Sequence, residues 1–173
     1  MTATEEIEAG LRRLTDLHEI RSLLSRYCRL VDSREPAGIA RGAFVEDAVD
    51  DHGIYGRAFR GRAEIEAMFT RSNETTDRSA HFVAAPEITI DGDTATAFTY
   101  VQGYTWTRAS AVQGEVRATD WVFTGMYVDR FARTAEGWLI SERRIAPLGP
   151  GATGYGARPG DYDKDFDATG GGS

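Results

Sequence analysis

The sequence predicts an α+β fold: N-terminal helices wrapped by a strongly curved antiparallel sheet. Two observations carry this. Apolar residues recur at steps of three and four in the N-terminal part, then alternate from Ser79 onward. The alternating stretches are long and are joined by hairpin signals, so helices come first and a run of paired strands follows. A bent sheet with helices at its open side leaves a conical pocket suited to a small molecule.

From Glu5 to Val31 the apolar positions are Ile7, Leu11, Leu14, Leu17, Ile20, Leu24, Tyr27 and Val31, one face of a helix. Thr15-Asp16 offers a fresh N-cap inside this run, so the helix is either continuous or interrupted there. Ser33-Arg34-Glu35-Pro36 ends it, because the residue before a proline resists helical geometry. A short second helix is expected over Ala37 to Phe44. EDAVDDHGIYGRAFRG reads as a short strand with turns, and GRAEIEAMFTRS as a third helix with Ile65, Met68 and Phe69 at helical spacing. HFVAAPEITI, a DGD turn and TATAFTYVQGYTWTR form a hairpin. TDWVFTGMYVDRFAR is the next strand, and TAEG turns the chain into WLISERRIAP. Residues 1–148 are expected to form one domain, with 149–173, rich in Gly and Asp, a flexible tail or one laid over the surface.

The 173 residues suffice for a sizeable core, and 41% hydrophobic with 27% charged residues is ordinary for a globular chain. A net charge of −7, and a single lysine, Lys164, argue against a nucleic-acid partner, which needs a basic face. No stretch approaches the roughly 20 apolar residues of a membrane span. MTATEEIEAG is acidic and lacks the basic-then-apolar layout of a signal peptide. Cys28 is the only cysteine, which suits a reducing cytoplasm, and it is read as a small core residue rather than a nucleophile.

Cofactor and hydrolase motifs are missing. G-x-G-x-x-G does not occur between a strand and a helix, and G-x-S-x-G does not occur at all. The histidines, at 18, 52 and 81, show no metal-ligand spacing. His18 reads as a surface or packing residue. Chemistry without metal or cofactor is the expectation.

Leu17 to Asp32 (L-x-x-I-R-x-L-L-x-R-Y-x-x-x-V-D), Phe44 to Val49 (FVEDAV) and Phe59 to Ile65 (FRGRAEI) resemble the SnoaL-like branch of the NTF2-like superfamily. SAHFV from Ser79, IDGDTATA from Ile90 and GWLISERR from Gly137 continue the likeness, which covers about residues 14 to 147. The resemblance implies a cone-shaped fold and a homo-oligomer, dimer or trimer. It leaves the activity open among dehydratases, dehydrochlorinases, isomerases, polyketide cyclases and non-catalytic oxygenase subunits.

Members that eliminate water or halide share a helix-borne Asp paired with a strand-borne His, and the bile-acid dehydratase type adds a Tyr five residues before the Asp. Tyr27, Asp32 and His81 match that pattern here. The resemblance implies a cofactor-independent lyase acting on a small apolar or polycyclic substrate. His81 would be its acid and base, Asp32 would orient it, and Tyr27 would polarise the substrate. On the residues alone, Tyr27 is equally a core tyrosine and Asp32 a turn residue.

Substrate contacts are expected at His52, Tyr55, Tyr104, Trp121 and Arg144. His52, in DDHGIYG, is either a contact at the cavity mouth or a turn residue. Of Arg143 and Arg144 one must face the pocket and the other away; family spacing favours Arg144. Phe98, Tyr100, Gln102, Tyr104 and Trp106 share one strand face, and Trp121, Phe123, Gly125, Tyr127 and Asp129 share another. Such aromatic stripes serve as core, subunit interface or pocket lining.

Overall fold

The computed structural model describes residues 2–53, 56–84, 86–108 and 118–148, together with the backbone of 150–151 and 154–155. The first helix, α1 (Ala3–Asp32), is continuous. Its start is set by a capping box: the Thr2 hydroxyl accepts the Glu5 N–H, and the Glu5 carboxylate accepts the Thr2 N–H. The optional break at Thr15-Asp16 does not occur, because Asp16 has another use. Its carboxylate accepts two hydrogen bonds from Arg133, at 2.6 and 2.8 Å, and a third from the Trp138 indole at 3.1 Å. These bonds tie the middle of α1 to the sheet.

The helix stops where expected. Ser33 caps it, its N–H donating to the Arg29 carbonyl while the Arg34 N–H donates to that of Val31, and Arg34 takes a left-handed φ of 60°. That conformation is uncommon for a non-glycine residue and needs outside support. The Arg34 guanidinium supplies it, donating to the carbonyls of Asn73 at 2.7 Å and Asp77 at 3.2 Å. Helix α2 (Pro36–Ala43) follows with proline in its first turn, where a missing N–H costs nothing. Helix α3 (Gly61–Thr75) buries Ile65, Met68 and Phe69, the three positions its spacing picks out.

The strands are β1 (Phe44–Asp51), β2 (Phe59–Arg60), β3 (Thr76–Val83), β4 (Glu87–Asp91), β5 (Thr94–Thr107), β6 (Trp121–Thr134) and β7 (Gly137–Pro147). They form one sheet in the order β2-β1-β7-β6-β5-β3, with β4 pairing β5 beside β3. A two-residue ladder, β8 (Pro150–Gly151) with β9 (Gly154–Tyr155), is separate. Hairpins make most neighbours antiparallel, but β1 and β7 run parallel, so the curved, unclosed sheet is mixed rather than wholly antiparallel. This pair joins distant parts of the chain, and no local turn dictates its direction.

One face of the sheet is packed by the helices. Ile20, Leu23, Leu24 and Tyr27 of α1 meet Ile39, Ile65 and Phe69, together with Val101, Tyr127, Phe131, Ile140 and Ile145 from the strands. Each such side chain withdrawn from water contributes about 1.5–3 kcal/mol. On β5 the alternation is clean: Ala95, Ala97, Thr99, Val101 and Gly103 face the helices. Phe98, Tyr100, Gln102 and Tyr104 therefore lie on the outer face. On β7 the alternation is broken. Arg130 pairs with Glu142 but Phe131 with Ile140, which leaves Ser141 as an extra residue, a bulge. Beyond it Arg143 is buried and registers with Asp129, whereas Arg144 registers with Val128 on the outer face.

Candidate active site

Asp32 is the last residue of α1, and β3 runs past it. The Asp32 carboxylate accepts the Ser79 hydroxyl at 2.9 Å and the His81 backbone N–H at 3.0 Å. It also lies 2.6 Å from His81 Nδ1. A carboxylate at a helix C-terminus faces the negative end of the dipole, and here three donors outweigh that cost. Burial works to raise the Asp32 pKa, but the His81 side chain and backbone and the Ser79 hydroxyl lower it further, so it ends below the usual value of 3.8.

An ionised Asp32 fixes the imidazole tautomer: Nδ1–H donates to the carboxylate, and Nε2 is left to accept. Both side chains are partly open, at 28% for Asp32 and 20% for His81. The ring lies over Gly103, its cross-strand partner. A Cβ placed there would stand 3.2 Å from His81 Cδ2 and 3.3 Å from Nε2. Glycine at 103 thus keeps the free side of the ring clear.

Tyr27 is set deeper. Its ring packs edge-on against Phe44, Phe69 and Tyr127, with centroids at 6.0, 6.3 and 5.9 Å. The Arg143 guanidinium lies 4.1 Å from the Tyr27 ring and 4.0 Å from that of Tyr127. Burial holds the Tyr27 phenol protonated, with Arg143 opposing that shift. Arg143 forms a fork with Asp129, both contacts at 2.7 Å, and neither side chain is exposed. Burial raises the Asp129 pKa against the pull of its arginine partner. Cys28, on the same helix face as Tyr27, is buried and its thiol is pushed up to about 11, in keeping with a core role.

His52 also has a carboxylate partner, with Nε2 3.1 Å from Asp50 Oδ2 and its ring 5.6 Å from that of Phe69. Asp50 is fully buried and is the register partner of Arg143 on β1. This second histidine–carboxylate pair went unread in the sequence. The signal was there: Asp50 and His52 are two apart at a strand end, hence on one side.

Two of the expected substrate contacts are corrected by their strand faces. Tyr104 is on the outer face, its hydroxyl donating to Gln102 at 2.9 Å and its ring 5.8 Å from that of Phe82. Arg144 is turned outward by the Ser141 bulge, and Arg143 is the inward arginine. Trp121 shares the inner face with Phe123 and Tyr127, at the exposed start of β6. Tyr55 lies outside the described residues.

The chain belongs to the SnoaL-like domain family, whose model matches residues 12–144. No protein of curated function matches it at a significant level. Among solved structures, an NTF2-like protein with a cystatin-like fold from Novosphingobium aromaticivorans is 29% identical, covering 89% of this chain and 96% of its own, with a TM-score of 0.69. The Kfla4162 protein from Kribbella flavida is 26% identical over 77% of this chain and 90% of its own, TM-score 0.68. A hexachlorocyclohexane dehydrochlorinase, LinA type 2, is 17% identical over 87% of this chain and 99% of its own, TM-score 0.67, a likeness of fold. The fold is NTF2-like. Among the described residues no helix is long and apolar enough to cross a membrane.

Proposed function

We propose that the protein is a cofactor-independent lyase of the dehydratase type, acting on a hydroxylated, flat, apolar small molecule. The observation that carries this reading is the 2.6 Å contact between the Asp32 carboxylate and His81 Nδ1, which leaves Nε2 to meet a substrate. In a β-elimination His81 Nε2 takes the C–H proton next to a substrate carbonyl. The electron pair left behind forms the new double bond as the β-hydroxyl departs, and the same imidazolium returns its proton to that oxygen, releasing water. Asp32 holds the ring and stabilises the imidazolium while it exists. The protonated Tyr27 phenol is the donor for the carbonyl oxygen. Arg143, packed on Tyr27 and clamped by Asp129, acts as a positioning residue. His52 and Trp121 remain the substrate contacts. The dehydrochlorinase among the fold neighbours is, by its name, also an elimination catalyst, which supports the reaction type.

The Asp50–His52 pair favours a second reading, isomerisation or cyclisation, in which a separate acid serves a different carbon. Product mass separates the two, since only dehydration removes water. The test is turnover of a panel of hydroxylated steroids and aromatic polyketides, followed by mass spectrometry, with His81→Gln alongside. A product lighter by one water, and a loss of about 10²–10⁴-fold in the variant, are expected. Full turnover by His81→Gln on the identified substrate would overturn the mechanism.

A further inference from the structure

Residues 2–15 of α1 are all exposed, so the first turns of the helix project beyond the domain by about 20 Å at 1.5 Å per residue. Along this projection Ile7, Leu11 and Leu14 form a stripe at helical spacing, exposed by 72, 65 and 65%. An isolated helix of this length is marginal in water, and helical stability comes mainly from packing an apolar face. Yet the segment opens with a complete capping box, so it is set up as a helix to its first turn.

Gly10 supplies an independent observation. A glycine inside an exposed helix is destabilising, and a Cβ at this position would meet nothing within 4 Å in its own chain. Glycine in a helix flank admits close approach by another backbone. Charge then says what approaches. Glu6 and Glu8 precede Gly10, while Arg12 and Arg13 follow it. By helical-wheel geometry Glu8 and Arg12 flank one side of the stripe, and Glu6 and Arg13 flank the other.

We propose that this segment docks on the same segment of a second copy, antiparallel, across a two-fold axis near Gly10 and Leu11. In that arrangement Ile7 of one helix packs against Leu14 of the other, the two Leu11 side chains meet at the axis, and the two glycines let the backbones close in. Glu8 then lies beside Arg12 of the other copy and Glu6 beside Arg13, a self-complementary surface of the kind a two-fold dimer requires. A parallel pair sets like charge against like. The exposed outer-face side chains Phe82, Tyr100 and Val122 offer a competing apolar surface.

The test is sedimentation equilibrium on the full chain. Wild type sediments as a dimer, and Leu11→Glu weakens self-association at least about tenfold with an unchanged circular dichroism spectrum. Glu6→Lys/Glu8→Lys and Arg12→Glu/Arg13→Glu each weaken the homodimer, and mixing the two chains restores a heterodimer. A monomeric wild type overturns the proposal. So does a Leu11→Glu variant that associates like wild type, the result expected if the outer sheet face is the interface. Charge variants that associate as tightly as wild type overturn the antiparallel arrangement.

Discussion

Asp32 holds His81 at two points, the ring Nδ1 at 2.6 Å and the backbone N–H at 3.0 Å, so one carboxylate fixes both the imidazole and the strand that carries it. An amide at this position keeps the shape but removes the charge that stabilises imidazolium, and it presents its NH₂ as well as its oxygen to Nδ1. Asp32→Asn is therefore expected to lower kcat by about 10²–10⁴-fold, with KM little changed. Steady-state kinetics on the identified substrate check this, and an unaltered kcat excludes the pair from the chemistry.

The same contacts give Asp32 a role in acid stability. Its pKa is lowered in the folded protein, so its contribution is fully present above the unfolded value of 3.8 and is lost as pH falls through the lower folded value. Wild type is expected to exceed Asp32→Asn in stability near neutral pH, and the gap is expected to close as pH drops below 3.8. Urea unfolding of both proteins across that range measures it. A gap that stays constant with pH means the carboxylate's charge contributes nothing to the fold.

Gly103 tests the geometry of the reactive side of the ring. A methyl group at this position stands 3.3 Å from Nε2, the nitrogen that Asp32 leaves free, and 3.2 Å from Cδ2. Either the ring tilts from Asp32 or the methyl occupies the approach to Nε2. Gly103→Ala is expected to lose about 10–100-fold in turnover, while the melting temperature stays near that of wild type. Retained activity shows that substrate reaches His81 from elsewhere.

Much of this arrangement is legible in the chain because it is local. The periodicities that set α1, α3 and the hairpins depend on neighbouring residues, and Asp32, at the helix end, falls beside the strand bearing His81. What was not legible is non-local. The parallel β1–β7 pair joins segments that no turn connects. Asp16 looks like a cap until Arg133 and Trp138 arrive from the other end of the chain. Ile140 faces the core, so strict alternation puts Arg144 inward too; the extra residue Ser141 reverses the phase and turns Arg143 in. The stripe of Ile7, Leu11 and Leu14 reads as core by period, yet it runs past the end of the domain.

Arg143 and Arg144 are adjacent in sequence and are expected to respond in opposite ways. Arg143 and Asp129 are fully buried and joined by two contacts of 2.7 Å. Removing the arginine alone leaves a carboxylate desolvated beside Tyr127 and Asp50, so Arg143→Ala is expected to cost about 3–5 kcal/mol. Replacing both members, as Arg143→Met/Asp129→Leu, removes the uncompensated charge as well and is expected to recover most of that loss. Arg144→Ala, on the outer face, is expected to change stability by less than about 1 kcal/mol. Chemical denaturation of the three variants decides the matter. If Arg144→Ala proves as costly as Arg143→Ala, or the double variant is no more stable than the single, the assignment of Arg143 as a buried, ion-paired support for Tyr27 is wrong.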